Sequence, residues 1–332
     1  MRQLSNPIVD VRQLSKRFRG GSGPVWAVRD VSFQIQAGEV FGLFGSNGAG
    51  KSTIIRILST LLAATAGTAV VNGWDVQAQP ARVRASIGLV APDERSFYGR
   101  LTARQNLAFY AAMQNVPRRE VRARVDAVLD LFGLGHKGNA TFQGLSTGQR
   151  QRLNMARALV HDPPVLFLDE PTKSMDVQTS DFVKELILQE LVRRQGKTVI
   201  FISHELYEMD SFCDYVVILA DGVVRAEGTP QVLSTAVPRR ALYRVVVEGD
   251  ATRILAAWRA LEGVETAVEV SRGLVQSTFD LTLADEASAT WLRMLQVVGE
   301  YGGRVESYRR VDDGSLRQVI KHFTDLSVIR EP

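Results

Sequence analysis

A nine-residue stretch at positions 45–53 constrains the fold of this chain more than any other part of the sequence. It fits the phosphate-binding pattern G-x-x-x-x-G-K-[ST], and its members are Gly45, Ser46, Asn47, Gly48, Ala49, Gly50, Lys51, Ser52 and Thr53. The apolar run before it predicts a buried strand, and residues 53–58 have the apolar spacing of a helix. Free backbone N–H groups and the positive end of the helix dipole then meet at the loop. The stretch therefore predicts a strand–loop–helix unit in which Lys51 contacts the outer phosphates of a nucleotide and Ser52 binds Mg²⁺.

The composition is typical of a globular protein. With 332 residues, of which 45% are hydrophobic and 23% charged, the chain can form one large domain and a smaller one. The net charge of +4 is compatible with a nucleotide or an anionic membrane surface, and an ordinary solvated surface explains it equally well. A single cysteine, Cys213, excludes an intrachain disulfide, and four scattered histidines disfavour a zinc site. We find neither an apolar run of about 18 residues that would predict a membrane span nor the pattern of a signal peptide.

The order of the predicted elements indicates an α/β fold. Alternating runs at residues 8–11 and 28–35 predict an antiparallel sheet ahead of the loop. Buried strands at 87–90, 165–168 and 198–203 and a hairpin at 215–225 follow it. Residues 101–160, with Thr102 as a candidate N-cap, and residues 179–195 are predicted to be helical. Beyond residue 238 the order is β-α-β-β-α-β with a helix at 316–325, as in a ferredoxin-like unit. We therefore expect a nucleotide-binding domain at 1–237, with a helical part at about 93–162, and a small α+β domain at 238–332.

Two adjacent carboxylates, Asp169 and Glu170, follow the apolar run at 165–168. Open α/β sheets bind their ligands at the carboxyl ends of buried strands. Asp169 suits Mg²⁺ coordination through water, and Glu170 suits a base that activates an attacking water. A helix N-cap is the alternative, because Pro171 and Thr172 come next, but the phosphate loop favours the catalytic interpretation.

Three other positions carry a candidate role and a structural alternative. Ser146 and Gly148 lie at a predicted helix start, which binds an anion or simply caps the helix. His204 ends a predicted core strand, where it would contact the outermost phosphate, although a lone histidine more often has a structural role. Phe18 precedes a glycine-rich turn, and it would stack on an adenine ring or lie half-buried on the sheet.

Taken in this order, the motifs resemble those of the ATP-binding subunits of ABC transporters over about residues 5–235. Positions 45–53 match the Walker A loop of that family, with its P-loop NTPase core, and positions 165–170 match Walker B. The family signature matches Leu145, Ser146, Thr147, Gly148 and Gln149, and residues 174–176 resemble the D-loop with Asp176. His204 is similar to the switch histidine and Phe18 to the adenine-stacking aromatic. The resemblance implies that these positions bind ATP and Mg²⁺ and that Glu170 and His204 act in hydrolysis.

The chain departs from the family pattern in the signature, in the D-loop and after the strand at 87–90. Thr147 replaces a glycine, and Lys173 and Met175 flank Ser174. A usual glutamine is absent, and the region holds Pro92, Asp93 and Glu94. Asp93 is the candidate that would take over contact with water or Mg²⁺. The stretch 93–98, Thr147 and the C-terminal unit resemble the type-2 exporter branch, in which a separate permease carries drugs, polysaccharides or lipid-linked glycans.

The resemblance also implies a head-to-tail homodimer that closes over two ATP molecules. Each ATP would lie between Lys51 of one copy and residues 146–149 of the other. This arrangement has a physical basis, because the loop, Mg²⁺ and a second helix N-terminus together neutralise the polyphosphate charge. The cycle would drive a membrane permease, so we expect a cytoplasmic protein, peripheral on the inner face of the cell membrane, with no nucleic acid partner.

The sequence is compatible with two other functions. Soluble ABC ATPases that act on ribosomes or DNA usually carry two nucleotide domains or a long coiled-coil insertion, whereas this chain has one phosphate loop and no long heptad run. An importer subunit is the other alternative. The missing glutamine and the C-terminal unit weigh only modestly against import.

Overall fold

The computed structural model describes residues 5–20, 23–91, 97–173, 175–203, 212–235, 241–273, 275–283 and 288–310. Within these ranges the chain forms two compact units, the first ending at Leu233 and the second beginning at Ser234. Asp93, His204 and the helix predicted at 316–325 lie outside the described residues. None of the described helices combines the length and the hydrophobicity needed to cross a bilayer.

The described residues of the first unit form two sheets. Its strands, in chain order, are β1 (Val9–Gly20), β2 (Gly23–Ile35), β3 (Val40–Gly45), β4 (Ala66–Val71), β5 (Trp74–Asp75), β6 (Ile87–Val90), β7 (Val165–Asp169), β8 (Thr198–Ser203), β9 (Tyr215–Ala220) and β10 (Val223–Gly228). One sheet has the order β2-β1-β4-β5 and is antiparallel, and the other has the order β10-β9-β3-β8-β7-β6. The second sheet is parallel except for the β9–β10 hairpin. The predicted antiparallel sheet, buried strands and hairpin are therefore confirmed.

The described helices up to residue 235 are α1 (Lys51–Leu58), α2 (Pro80–Ser86), α3 (Ala103–Met113), α4 (Arg118–Leu131), α5 (Thr147–Leu159), α6 (Val177–Glu185) and α7 (Pro230–Thr235). The helices predicted after the loop and within residues 101–160 are thereby confirmed, whereas α2 and α7 were not predicted. A π-helical segment, Leu186–Arg194, continues α6, and short 3₁₀ turns occur at Gly135–Lys137 and Phe142–Gly144. Helix α3 begins at the expected N-cap, where Thr102 Oγ1 accepts from Gln105 N at 3.1 Å and Gln105 Oε1 accepts from Thr102 N at 2.9 Å. This reciprocal box satisfies two backbone donors that a helix start otherwise leaves unpaired.

The parallel sheet is the centre of the first unit. Every residue of β3, β7 and β8 is buried, which explains why these strands are continuous apolar runs. The large side chains Phe41, Phe167 and Phe201 are fully enclosed. Because β3 and β7 both pair in parallel with β8, their carboxyl ends lie on the same edge of the sheet. The phosphate loop and the two carboxylates are therefore brought to one edge.

The described residues of the second unit form one antiparallel sheet and two helices. Its elements are β11 (Ala241–Glu248), α8 (Ala251–Ala260), β12 (Val264–Arg272), β13 (Gln276–Leu283), α9 (Ser288–Glu300) and β14 (Arg304–Arg310), with the sheet order β12-β13-β11-β14. The helices and the sheet share one core in which Trp258, Phe279 and Met294 are buried. Trp258 Nε1 donates to the Met294 carbonyl at 3.1 Å, so the indole is buried without losing its hydrogen bond. The predicted β-α-β-β-α-β order is confirmed.

Candidate functional site

The phosphate loop connects β3 to α1 at the carboxyl edge of the parallel sheet. Gly50 is the residue just before α1 and has a φ of 102°, a conformation that side chains with a Cβ rarely adopt. A Cβ at this position would also lie 2.4 Å from the Ala27 carbonyl oxygen. Only glycine therefore fits at this point of the loop, which explains the spacing of the pattern in physical terms.

Lys51 is held inside the loop that it follows. Its Nζ donates to the Gly45 carbonyl at 2.5 Å and to the Ser46 carbonyl at 3.0 Å, and the residue is 7% exposed. Burial lowers the pKa of Lys51, and the carboxylates of Glu170 and Asp169 offset this effect only in part. A buried ammonium with incomplete compensation attracts an anion, so the position suits a phosphate oxygen.

Ser52 and Asp169 place two oxygen ligands side by side. The Ser52 hydroxyl donates to Asp169 Oδ2 at 3.4 Å, and both residues line the same cavity. Burial, followed by the neighbouring Glu170, raises the pKa of Asp169, while Ser52 and Lys51 act in the opposite direction. A hydroxyl and a buried carboxylate are hard donors of the kind that Mg²⁺ prefers, so the residues fit this ion. A bound Mg²⁺ would neutralise the charge of this carboxylate and of a phosphate beside it.

Glu170 is fixed in an unusual backbone conformation. Its φ is 49°, which few residues other than glycine adopt, and its N–H donates to the Ile202 carbonyl at 2.9 Å. The Glu170 side chain is 14% exposed, and its Oε2 lies 2.8 Å from Lys173 Nζ. This ion pair raises the pKa of Lys173. The carboxylate is thus oriented by its neighbours at the mouth of the phosphate loop.

One cavity of about 160 Å³ unites the loop and the carboxylates. The residues that line it are Ala27, Asn47, Gly48, Gly50, Lys51, Ser52, Thr53, Asp169 and Glu170. A cationic side chain, the N-terminus of α1 and an acidic pair therefore surround a single space. Such a space can bind a polyphosphate with its metal ion and place a carboxylate base beside it.

Phe18 lies on the face of its sheet that is turned toward the loop. Lys16 Nζ is 5.3 Å from the Phe18 ring centroid, so the two side chains share a face of β1. Val28 is the cross-strand partner of Lys16, and its Cγ2 would lie 3.4 Å from a Cβ at Gly50. The Phe18 ring is 42% exposed, and its placement is compatible with stacking on an adenine base. That role stays a prediction, as does the half-buried alternative.

The four residues 146–149, which we call the signature turn, begin α5. Ser146 Oγ accepts from Gln149 N at 3.3 Å, and Gln149 Oε1 accepts from Ser146 N at 3.0 Å, so the predicted capping turn is present. The space next to Gly148 is open, since a Cβ there would meet nothing within 4 Å. None of the four residues lines the cavity that contains Lys51. Within one chain, therefore, the structure does not bring the signature turn to the phosphate loop.

Asp176 has a structural function that sequence analysis did not assign. Its carboxylate caps α6 by accepting from Thr179 N at 2.9 Å and from Thr179 Oγ1 at 2.8 Å. These bonds hold the pKa of Asp176 below its ordinary value. They also explain why α6 begins at Val177 rather than at residue 179 as predicted. A nucleotide contact by Asp176 stays a prediction.

Sequence reasoning missed two contacts at this edge. Ala27 lines the cavity because β2 approaches the loop, and nothing in the local sequence signals that approach. Gln151 Nε2 donates to the Pro171 carbonyl at 3.0 Å, next to Glu170. A signal for this second contact was present, because the polar residues Gln151, Asn154 and Arg157 recur every three positions in a helix with an apolar face.

Comparison with known proteins identifies the family. The model of the family described as "ABC transporter" matches residues 28–173. The ABC transporter ATP-binding protein NatA of Bacillus subtilis is 38% identical over 221 residues, which cover 67% of this chain and 89% of NatA. The chain belongs to the ABC transporter ATP-binding proteins. It is consequently an ATPase, and the family binds ATP, usually with Mg²⁺.

Relatives with different transport roles have similar sequence identity to this chain. The linearmycin resistance ATP-binding protein LnrL of Bacillus subtilis is 34% identical over 71% of this chain and 75% of LnrL. The methionine import ATP-binding protein MetN of Geobacillus kaustophilus is 36% identical over 67% of this chain, which spans 65% of the length of MetN. A solved structure, the dimeric post-hydrolysis state of the cassette MJ0796 bound to ADP and Pi, has a TM-score of 0.62 at 27% identity and covers 67% of this chain and 98% of the cassette. The predicted P-loop NTPase fold of ABC type is thereby confirmed. Cassettes of this family are dimeric, work with membrane permease subunits and are usually peripheral to the membrane.

Proposed function

We propose that this chain is the ATP-hydrolysing subunit of an exporter and that it closes as a head-to-tail homodimer over two ATP molecules. The observation that carries the proposal is the single cavity in which Lys51, Ser52, Asp169 and Glu170 meet. In this proposal the domain that binds ATP extends over residues 1–237, and residues 238–332 form an accessory domain. The dimer acts on a separate permease from the inner face of the cell membrane.

The hydrolytic roles follow from the chemistry of the cavity. Lys51 and the N-terminus of α1 bind the phosphates, and Ser52 with Asp169 holds Mg²⁺. Glu170 accepts the proton of the attacking water, and its fixed backbone keeps the carboxylate directed into the cavity. Four more residues have proposed roles. His204 contacts the outermost phosphate, and Asp93 contacts water or Mg²⁺. Phe18 stacks on the adenine, and Asp176 makes the D-loop contact with the nucleotide.

The absence of the signature turn from the cavity of its own chain supports the homodimer. Residues 146–149 present an open helix start but do not line the cavity of their own chain. A second copy in head-to-tail orientation supplies them to the other face of the nucleotide, and the two-fold symmetry then completes both sites at once. The dimeric cassette MJ0796 bound to ADP and Pi supports this arrangement by similarity.

Export is favoured over import by a combination of features. Thr147, the stretch 93–98 and the C-terminal α+β unit resemble the type-2 exporter branch, and LnrL is a resistance protein. Import is the second candidate, because the methionine import protein MetN is similarly related. Action on ribosomes or nucleic acid is the third candidate, and the single phosphate loop and the absence of a long heptad run in the sequence weigh against it.

Replacing Glu170 by Gln tests the hydrolytic role. The variant Glu170→Gln should lower turnover by roughly 10²- to 10⁴-fold, the scale of a general base, while its affinity for ATP stays within about twofold. Steady-state phosphate release and equilibrium binding of a fluorescent ATP analogue measure the two quantities. Undiminished hydrolysis in the purified variant would remove the assigned role from Glu170.

The direction of transport is tested in the source cell. A strain that carries Glu170→Gln in place of the natural residue should become more sensitive to some members of a panel of amphiphilic antibiotics and should take up radiolabelled methionine at the normal rate. Loss of methionine uptake with unchanged drug sensitivity would instead favour import. A chain that sediments with ribosomes and is absent from washed membranes would favour the third candidate.

A further inference from the structure

Helix α5 bonds to the catalytic edge of the sheet through three polar side chains, which we call the polar stripe: Gln151, Asn154 and Arg157. Each of them donates to a backbone carbonyl in or just beyond the last residues of β6 or β7. Gln151 bonds Pro171 at 3.0 Å, Asn154 bonds Ala91 at 3.1 Å, and Arg157 bonds Leu89 at 3.4 Å. Gln151 is 6% exposed and Asn154 is 0% exposed, so water does not compete for these bonds.

The Gln151 bond lies beside the strained peptide of Glu170. The Glu170 N–H donates to Ile202 at 2.9 Å, its carbonyl accepts from Lys173 N at 3.2 Å, and the next carbonyl, that of Pro171, accepts from Gln151. A residue at positive φ keeps its conformation only when its surroundings fix it from several directions. Of these three bonds, the one from Gln151 is made by a side chain. Gln151 lies on α5, and α5 begins at the signature turn.

The far end of α5 packs against the same sheet, along β6. A Cβ at Gly88 would lie 2.3 Å from the Ala158 carbonyl oxygen, so the helix contacts the backbone of β6 directly. At the other end of α5, the capping box between Ser146 and Gln149 stiffens the first turn, and Gln151 follows two residues later. A displacement of the signature turn would therefore move the amide of Gln151, and with it the hydrogen bond to the Pro171 carbonyl next to Glu170.

We propose that Gln151 is a positioning residue that couples the signature turn to Glu170 of the same chain. The inference depends on the head-to-tail dimer proposed above. In that dimer the signature turn of each copy contacts the ATP held by the partner, whereas Glu170 acts on the ATP held by its own loop. Gln151 thus links the two nucleotide sites, and engagement of one site stabilises the hydrolytic geometry of the other.

The variant Gln151→Met tests this coupling, because methionine keeps the length of the side chain but cannot donate to a carbonyl. We expect kcat to fall by about 3- to 10-fold, the range that corresponds to one hydrogen bond, and the Hill coefficient for ATP to move toward 1. The affinity of the isolated chain for ATP should stay within about twofold. Gln151→Asn, which keeps the amide but shortens its reach, should have the same effects and serves as the second variant if the methionine variant does not fold.

The control is Ser86→Ala, which removes a buried hydroxyl bond to the Val83 carbonyl at 2.9 Å away from the catalytic edge. It should lower the melting temperature as much as the Gln151 variants do, while kcat and the Hill coefficient remain unchanged. A Gln151 variant with normal kcat and a normal Hill coefficient would overturn the inference, whatever its stability. That result would leave the proposed function intact, since the proposed hydrolytic role is tested separately by Glu170→Gln, which fails if the variant still hydrolyses ATP at the normal rate.

Discussion

The variant Lys51→Met separates a binding role of the buried ammonium from a structural one. In the structure Lys51 Nζ bonds two loop carbonyls, Gly45 and Ser46, and is largely enclosed. Methionine removes these bonds, which lowers the free energy of unfolding. It also removes a buried charge that is only partly compensated, which raises the free energy of unfolding. We expect a change of about 1 kcal/mol or less in the free energy of unfolding, which is about 2–4 °C in melting temperature for a unit of this size.

The effect of Lys51→Met on ATP binding should be far larger. A charge-assisted hydrogen bond contributes about 1.5–3 kcal/mol, which corresponds to a loss of roughly 10- to 150-fold in affinity. Isothermal titration with ATP and Mg²⁺ measures the affinity, and differential scanning calorimetry measures the stability. A melting temperature lowered by more than about 8 °C together with wild-type affinity would contradict the binding role, because it would make Lys51 a structural residue.

The pH dependence of stability provides an internal check on Lys51. Burial lowers its pKa, so just below the ordinary value of 10.5 the unfolded chain binds more protons than the folded chain. The free energy of unfolding contributed by this group therefore rises with pH through that window. Urea titrations of the nucleotide-free protein should show the rise, and the difference between wild type and Lys51→Met isolates it. If the free energy of unfolding has the same slope against pH in both proteins, the Lys51 ammonium is not destabilised by burial.

The remaining predictions concern three other places in the fold. Gly88→Ala should destabilise the first unit by about 1–3 kcal/mol, because its Cβ would meet the Ala158 carbonyl; an unchanged melting temperature would contradict the close packing of α5 on β6. Gly148→Asp has room for its side chain and adds an acid to the first turn of α5, so it should leave the melting temperature unchanged or slightly raised while ATP hydrolysis is lost. Asp250→Ala removes a cap that accepts from Thr252 N and Arg253 N, and should destabilise the second unit by about 0.5–2 kcal/mol with normal basal ATPase activity; a matching loss of activity would show that hydrolysis depends on that unit.

Much of the fold was predictable because its determinants are local. The continuous apolar runs of β3, β7 and β8 identify buried parallel strands, and Thr102 and Ser146 mark helix starts through hydrogen bonds that close within four residues. The phosphate loop is likewise encoded by glycine, because Gly50 has a φ of 102° that residues with a Cβ rarely adopt. Each of these features depends on neighbours in the chain.

The features that sequence analysis did not provide depend on distant segments. Ala27 lines the cavity only because β2 approaches the loop, and Gln151 contacts Pro171 only because α5 packs on the carboxyl edge of the sheet. The start of α6 was placed two residues late, because the side chain of Asp176 fixes it and the apolar pattern does not. Local periodicity cannot contain such information.

The most direct test of the dimer uses two inactive variants. In a head-to-tail dimer, a mixture of Lys51→Met and Gly148→Asp contains heterodimers in which one site joins an intact loop to an intact signature turn. We expect each variant alone to be inactive and an equal mixture to recover up to about one quarter of wild-type ATP hydrolysis, since half of the dimers are mixed and each has one intact site of two. A mixture as inactive as its separate components would contradict the claim that two copies share each nucleotide.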